Sequence, residues 1–235
     1  MEIRCDLRNV RRRQEKYSST QEKAGGFPAN VEEDNLRKKS HISLAMYLVD
    51  SLPEGELYRH RKAFYLGSIL PDCMPSFLTT RHEIEVTFPK VRQEIAGLCE
   101  IKPMKTSDMR VFCRRLGEVM HYIADYFTFP HNQHFPGNLK EHCSYEEELK
   151  QKLRSFLKSE EAKQARREAL NFLTPEEVCR YIQEKHAQYR KKLSCVENDI
   201  HQIIAICYQV LCGIWNLMLK AVREEHIGKK QEIPA

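Results

Sequence analysis

The sequence predicts an all-α fold, a single multi-helix bundle closed around one core. Three observations carry that expectation. Apolar residues recur at helical spacing, as in Val111, Phe112, Leu116, Val119, Met120, Ile123 and Phe127, the pattern of a helix that buries one face. Helix punctuation stands where such stretches start or stop, at Pro71, Pro130 and Thr174-Pro175-Glu176-Glu177. The length of 235 residues is enough to bury one substantial core, and one domain is the simplest count.

Taken in order, Met1 to Asn35 mixes charges with Ser, Thr, Gly and Pro and has no sustained apolar period, so it reads as loop or disorder. Residues 1–36 are expected to be a disordered or appended tail, 37–228 the folded domain and 229–235 a short polar tail. Ser40 is the expected N-cap of a helix containing Ile42, Leu44, Ala45, Leu48 and Val49, which puts His41 in its first turn. A second helix over Leu57 to Ser68 ends before Pro71, and Pro71-Asp72-Cys73-Met74-Pro75 is a loop able to aim a carboxylate inward. Ser107 or Asp108 caps a long helix through Phe127. The stretch Thr128 to Leu139, with two prolines and one glycine, is a loop carrying His131. Helices follow from about Lys140 to Lys158 and from Thr174 onward. The most apolar stretch, Ile200 to Val222, is interrupted by Gln202, Gln209 and Asn216. It reads as a central bundle helix rather than a membrane span, which needs about 20 largely uninterrupted apolar residues.

This framework carries eight potential zinc ligands: His41, Asp72, His82, His121-x3-Asp125-x5-His131 and His142-x3-Glu146. Residues four apart on a helix lie one above the other, so His121 and Asp125 can converge on one metal, as can His142 and Glu146. Imidazole nitrogen and carboxylate oxygen are ligands that zinc accepts in catalytic sites, and no thiolate is required. The nine cysteines are scattered without a Cys-x2-Cys pair, which suggests neither a zinc ribbon nor a closed disulfide framework and favours a reducing interior. Cys73 and Cys143 adjoin expected ligands but read as packing residues. His60, His134, His186, His201 and His226 read as hydrogen-bonded or surface histidines, with His134 the nearest competitor to His131.

Together these residues resemble the zinc-dependent phospholipase C family, which is related more distantly to the S1/P1 nucleases. The resemblance runs from His41 to Glu146 and, with less motif support, through the C-terminal helices. It implies a bundle of the phospholipase C/P1 nuclease kind. It implies one zinc held by Asp72 of Leu-Gly-Ser-Ile-Leu-Pro-Asp, His82 of Arg-His-Glu, His121 and Asp125, and a second held by His131, His142 and Glu146. A third would be held by His41 and a bridging Asp125, together with the amino and carbonyl groups of an N-terminal Trp. That last ligand is missing: the one tryptophan is Trp215, and His41 follows an N-terminal extension. Two or three zinc ions are therefore expected. The resemblance also makes Asp72 the candidate for orienting or deprotonating the attacking water, in addition to its role as ligand.

The activity so implied is cleavage of a phospholipid into a diacylglycerol and a phosphorylated head group by metal-activated water. Two other readings stand beside it. In the related nucleases the final ligand pair typically reads HxxxD, whereas this chain has Glu146. A non-catalytic helical protein stabilised by zinc is the third reading, and the missing N-terminal ligand favours it. The expected partner is a phospholipid substrate or membrane surface, with no obligate protein partner and nucleic acid less expected. The net charge of +5 is partly concentrated in Arg11, Arg12, Arg13, Arg37, Lys38 and Lys39, which reads as a solvated tail. No glycine-rich phosphate loop, Gly-x-Ser-x-Gly elbow or nucleotide fingerprint is present. No apolar segment with a cleavage site follows Met1, so a cytoplasmic location is expected, although the best-known family members are exported.

Overall fold

Helix α5 (Thr106–Tyr126) lies mid-chain in this computed structural model, which describes residues 31–52, 55–74, 81–100, 105–164, 169–192 and 194–231. Before it come α1 (Val31–Asp50), α2 (Glu56–Arg59), α3 (Arg61–Ile69) and α4 (Ile84–Glu100). After it come α6 (Leu139–Phe156), α7 (Glu160–Gln164), α8 (Pro175–Tyr189) and α9 (Val196–Gln231). Pro71–Cys73 and Phe129–His131 form short 3-10 turns, and no strand occurs among the described residues. The fold is all-α, as predicted.

Several boundaries differ from the sequence expectation. The first helix starts at Val31, so Ser40 is not its cap and His41 lies well inside it. No Gly or Pro interrupts residues 31–50, and the backbone continues upstream without a break. Residues 1–30, most of the expected tail, lie outside the described residues. At the other end α9 runs to Gln231, past the expected limit at 228. The helix expected over Leu57 to Ser68 is split at His60 into α2 and α3. Lys105 is the N-cap of α5, and Asp108 acts from the third helical position by accepting from the Lys105 backbone N–H at 3.2 Å. Helix α4 was not anticipated. Its apolar residues Phe88, Val91, Ile95 and Leu98 are buried at helical spacing, with Pro89 among them.

Two caps behave as their residues dictate. Asn138 accepts from Glu141 N at 3.1 Å while its own N–H donates to the Glu141 carboxylate at 2.8 Å, a reciprocal box that fixes where α6 begins. Thr174 caps α8 by accepting from Glu177 N, with Pro175 in the first turn as expected.

Phe112, Leu116 and Ile123 of α5 are fully buried, as are Ile204, Cys207, Val210, Leu211 and Ile214 of α9. Each such aliphatic side chain contributes roughly 1.5–3 kcal/mol relative to exposure. Helix α9 is long and apolar enough to cross a membrane, but 67% of that apolar stretch is buried inside the protein, which marks it as a core helix. Gln209, one of its polar interruptions, accepts from Leu170 N at 2.8 Å.

The crossing of α3 over α5 positions the site. A Cβ on Gly67 would fall 1.9 Å from the Arg114 carbonyl oxygen, and one on Gly117 would fall 2.2 Å from that of Phe64. Backbone meets backbone here because neither residue has a side chain. The turn after α3, which carries Asp72, is thereby brought against the C-terminal half of α5. Gly117→Ala should lower the thermal midpoint, since overpacking against backbone costs about 1–3 kcal/mol or more, and should reduce bound zinc with it. An unchanged midpoint would show that the helices do not approach this closely.

Candidate metal centre

Six segments deliver the eight expected ligands, and the structure brings them to one place. His121 and Asp125 stand one turn apart at the buried end of α5, Asp72 comes from the turn after α3, His82 from just before α4, and His41 from α1. His131 comes from the Phe129–His131 turn and His142 and Glu146 from one face of α6. Three groups of donors form, Asp72–His82–His121, His41–His121–Asp125 and His131–His142–Glu146, with the ligand atoms of each within 4.8 Å of one another.

Asp125 joins them. Its Oδ2 lies 2.9 Å from His82 Nδ1 and 3.2 Å from His121 Nε2, while its Oδ1 lies 3.2 Å from His41 Nε2 and 4.0 Å from His131 Nε2. Asp72 Oδ1 is 3.4 Å from His121 Nε2 and 3.8 Å from His82 Nδ1. In the third group, Glu146 Oε1 is 3.0 Å from His131 Nε2 and 2.9 Å from His142 Nε2. A cavity of about 30 Å³ bordered by His41, Asp125, His131 and Glu146 lies between α1 and α6, room for a water-sized species.

His134, the competitor to His131, lies on the surface against the Phe129 ring and joins none of these groups. His60 pairs with Glu56 at 3.5 Å, and His201 lies 3.9 Å from Glu161. Cys73 is exposed and Cys143 half-buried, and neither joins the groups.

This donor set fits a cation. Five imidazoles and three carboxylates meet with no Lys or Arg among them, and buried carboxylates need a positive partner. Asp72 Oδ2 is buried and has no hydrogen-bond partner, an orphan that a bound ion would satisfy. The second ring nitrogen of His121 is already committed. Its Nδ1 lies 2.9 Å from the Ser68 carbonyl oxygen, which can only accept, so Nδ1 carries the hydrogen and Nε2 faces the cluster.

Without metal, protons take the cation's place. Burial alone would lower the His121 pKa, but the charges on Asp125 and Asp72 outweigh it and push it up to about 9. Burial likewise favours the neutral form of Asp125, yet the His131, His121 and His41 charges hold its carboxyl well below the usual range. The raised His121 pKa stabilises the metal-free protein fully below the unfolded value near 6.5, and that contribution is lost as pH rises through about 9. Zinc must displace the same proton. Metal-free protein should therefore melt lower as pH rises across this window while apparent zinc affinity climbs, and zinc affinity flat from pH 6.5 to 9 would contradict the arrangement.

The surroundings include residues that sequence reasoning passed over. Tyr122 sets its ring edge-on to His82 and His121. Asp199, fully buried on α9, accepts from Phe129 N at 2.8 Å, Tyr145 O–H at 2.7 Å and Tyr189 O–H at 2.8 Å. It thus fixes both the turn bearing His131 and the helix bearing Glu146. His186, read from sequence as hydrogen-bonded or on the surface, is buried with Nε2 2.9 Å from Asn132 Oδ1, and Asn132 in turn donates to the Tyr126 and Thr128 carbonyls. The visible signal for Asp199 was its phase, one residue before the apolar run and four before Ile203.

A cleft of about 480 Å³ opens over the ligands, lined by His82, His131 and His142 together with Arg81, Glu83 and Asn132 among others. Polar side chains border these histidines. No curated protein and no solved structure matches the chain. A model of the family described as zinc dependent phospholipase C matches residues 40–196. That span exceeds half the chain, contains every expected ligand from His41 to Glu146, and places the chain in the zinc-dependent phospholipase C family.

Proposed function

We propose that this protein is a zinc-dependent phosphodiesterase that cleaves a phospholipid on the glycerol side of its phosphate, giving a diacylglycerol and a phosphorylated head group. The observation that carries the reading is Asp125, whose two oxygens face separate donor groups beneath an open cleft. A purely structural zinc site is closed by its protein ligands. Here His131 and His142 reach the cleft wall.

The residues have distinct tasks. Asp72, His82, His121 and Asp125 would hold one zinc, and His131, His142 and Glu146 a second. His41 with Asp125 Oδ1 would hold a third, with the small cavity beside them leaving space for water to complete it. Bound zinc supplies positive charge against phosphate oxygens and water of lowered pKa. Asp72 would serve both as a zinc ligand and as the carboxylate that orients or deprotonates the attacking water. Ser68, through its carbonyl, holds the His121 ring in place for this. The partner is accordingly a phospholipid presented at a membrane surface.

The zinc-loaded chain should hydrolyse a short-chain phosphatidylcholine, lose activity to a chelator and regain it with Zn2+. Asp72→Asn should lower kcat by roughly 100-fold or more, the scale of a lost general base. Faster cleavage of single-stranded nucleic acid than of any phospholipid would move the protein to the nuclease reading. Activity on neither, with zinc bound and a chelator-sensitive fold, would leave a structural role for the metal.

A further inference from the structure

A second charged feature lies where α3 and α5 begin. Arg59, Arg61, Lys62, Arg110 and Arg114 border a surface hollow of about 670 Å³ that Leu66 and Val111 also line. None of these residues lines the cleft over the ligands. Arg110 precedes His121 by eleven positions on α5, about 17 Å along the helix axis.

The charge here is not internally cancelled. Arg59 pairs with Glu56 and Arg114 with Glu118. Arg61, Lys62 and Arg110 have no carboxylate partner among the described residues. Apolar side chains stand exposed between these cations: Leu66 is 50% exposed, Val111 47% and the neighbouring Tyr58 46%. Desolvating such residues is favourable only if a partner offers both anionic groups and an apolar layer.

We propose that this face docks on an anionic phospholipid bilayer. Cations attract the negative headgroup layer, and the aliphatic side chains among them enter the boundary with the acyl chains. Single-stranded nucleic acid fits less well, because its capture relies on aromatic platforms for stacking. Tyr58, exposed beside the hollow, already has the Arg61 guanidinium over its ring at 4.3 Å, and Leu66 and Val111 stack on no base. The proposal does not rest on the phosphodiesterase reading, since docking is read without turnover.

The test is co-sedimentation of the zinc-loaded full chain with vesicles of phosphatidylcholine alone and of phosphatidylcholine mixed with phosphatidylserine. Wild type should prefer the mixed vesicles, and high salt should weaken that binding. Lys62→Ala with Arg110→Ala should reduce partitioning onto mixed vesicles by roughly 10- to 30-fold. Arg110→Lys should keep it, because charge rather than guanidinium shape is at issue, and Leu66→Ser should weaken the binding that survives at high salt. Thermal midpoints confirm that each variant is folded. Hydrolysis of a monomeric short-chain phospholipid should be unchanged in the double variant. If monomer hydrolysis is absent in wild type while vesicle binding behaves as stated, the enzymatic reading fails and the docking face stands. Equal binding to both vesicle types, a double variant that binds like wild type, tighter binding to single-stranded DNA than to mixed vesicles, or a dimer dissolved by the double variant would each overturn the docking face.

Discussion

Asp125→Asn is expected to remove more zinc and more activity than any other single substitution at the centre. Its two oxygens serve different neighbours, Oδ2 facing His82 and His121 and Oδ1 facing His41. The amide cancels the negative charge and turns an N–H2 donor toward one of these imidazole nitrogens. Removing one charged partner from a buried set costs roughly 3–5 kcal/mol, which is about two to four orders of magnitude in affinity. Zinc per chain, measured after equilibration with a competing chelator, should fall at more than one donor group. Glu146→Gln, whose carboxylate serves His131 and His142, should lose less. His134→Ala should be nearly silent, since that ring packs on Phe129 outside the groups. Equal zinc loss in Asp125→Asn and His134→Ala would sink the assignment of His131.

The parts of this centre that were legible in the sequence are those fixed by one helix. His121 with Asp125, and His142 with Glu146, meet because four residues nearly complete a turn. The meeting of Asp72 with His121 is of another kind. It depends on α3 and α5 touching through Gly67 and Gly117, and no spacing between residues 72 and 121 encodes that, so only the family resemblance anticipated it. Helix α4 was legible in principle from Phe88, Val91, Ile95 and Leu98, but Pro89 inside the pattern masked it. The 3-10 turns at Pro71–Cys73 and Phe129–His131 read as loops because proline ends a regular repeat without specifying the backbone conformation beyond it. His41 joins the donor cluster although its place within its helix was misjudged, because that meeting depends on the face it occupies and not on where the helix begins.

Asp199→Ala is expected to have the largest effect of any change outside the ligands. The carboxylate is fully buried and accepts three hydrogen bonds, from one backbone N–H and two tyrosine hydroxyls. Its removal strands all three donors in the core, at about 1–3 kcal/mol each before relaxation. The midpoint should fall by about 2–4 °C for each kcal/mol lost in a chain of this size. Zinc loss should be selective, because Phe129 begins the turn that carries His131 and Tyr145 adjoins Glu146 on α6. The His131–His142–Glu146 group should therefore weaken in a chelator titration while the group around Asp125 and Asp72 holds. A second signature comes from pH. Burial pushes the Asp199 carboxyl up to about 7, against the Phe129 N–H and the two tyrosine hydroxyls that favour its anion. The neutral acid's contribution to stability is complete below the unfolded value of 3.8 and is lost as pH rises through about 7, on the order of a few kcal/mol in all. Asp199→Asn cannot titrate, so its midpoint should lose that part of the slope between pH 4 and 7 that wild type shows. A variant that melts early yet binds zinc at every group as wild type does would make Asp199 a core residue with no part in placing His131.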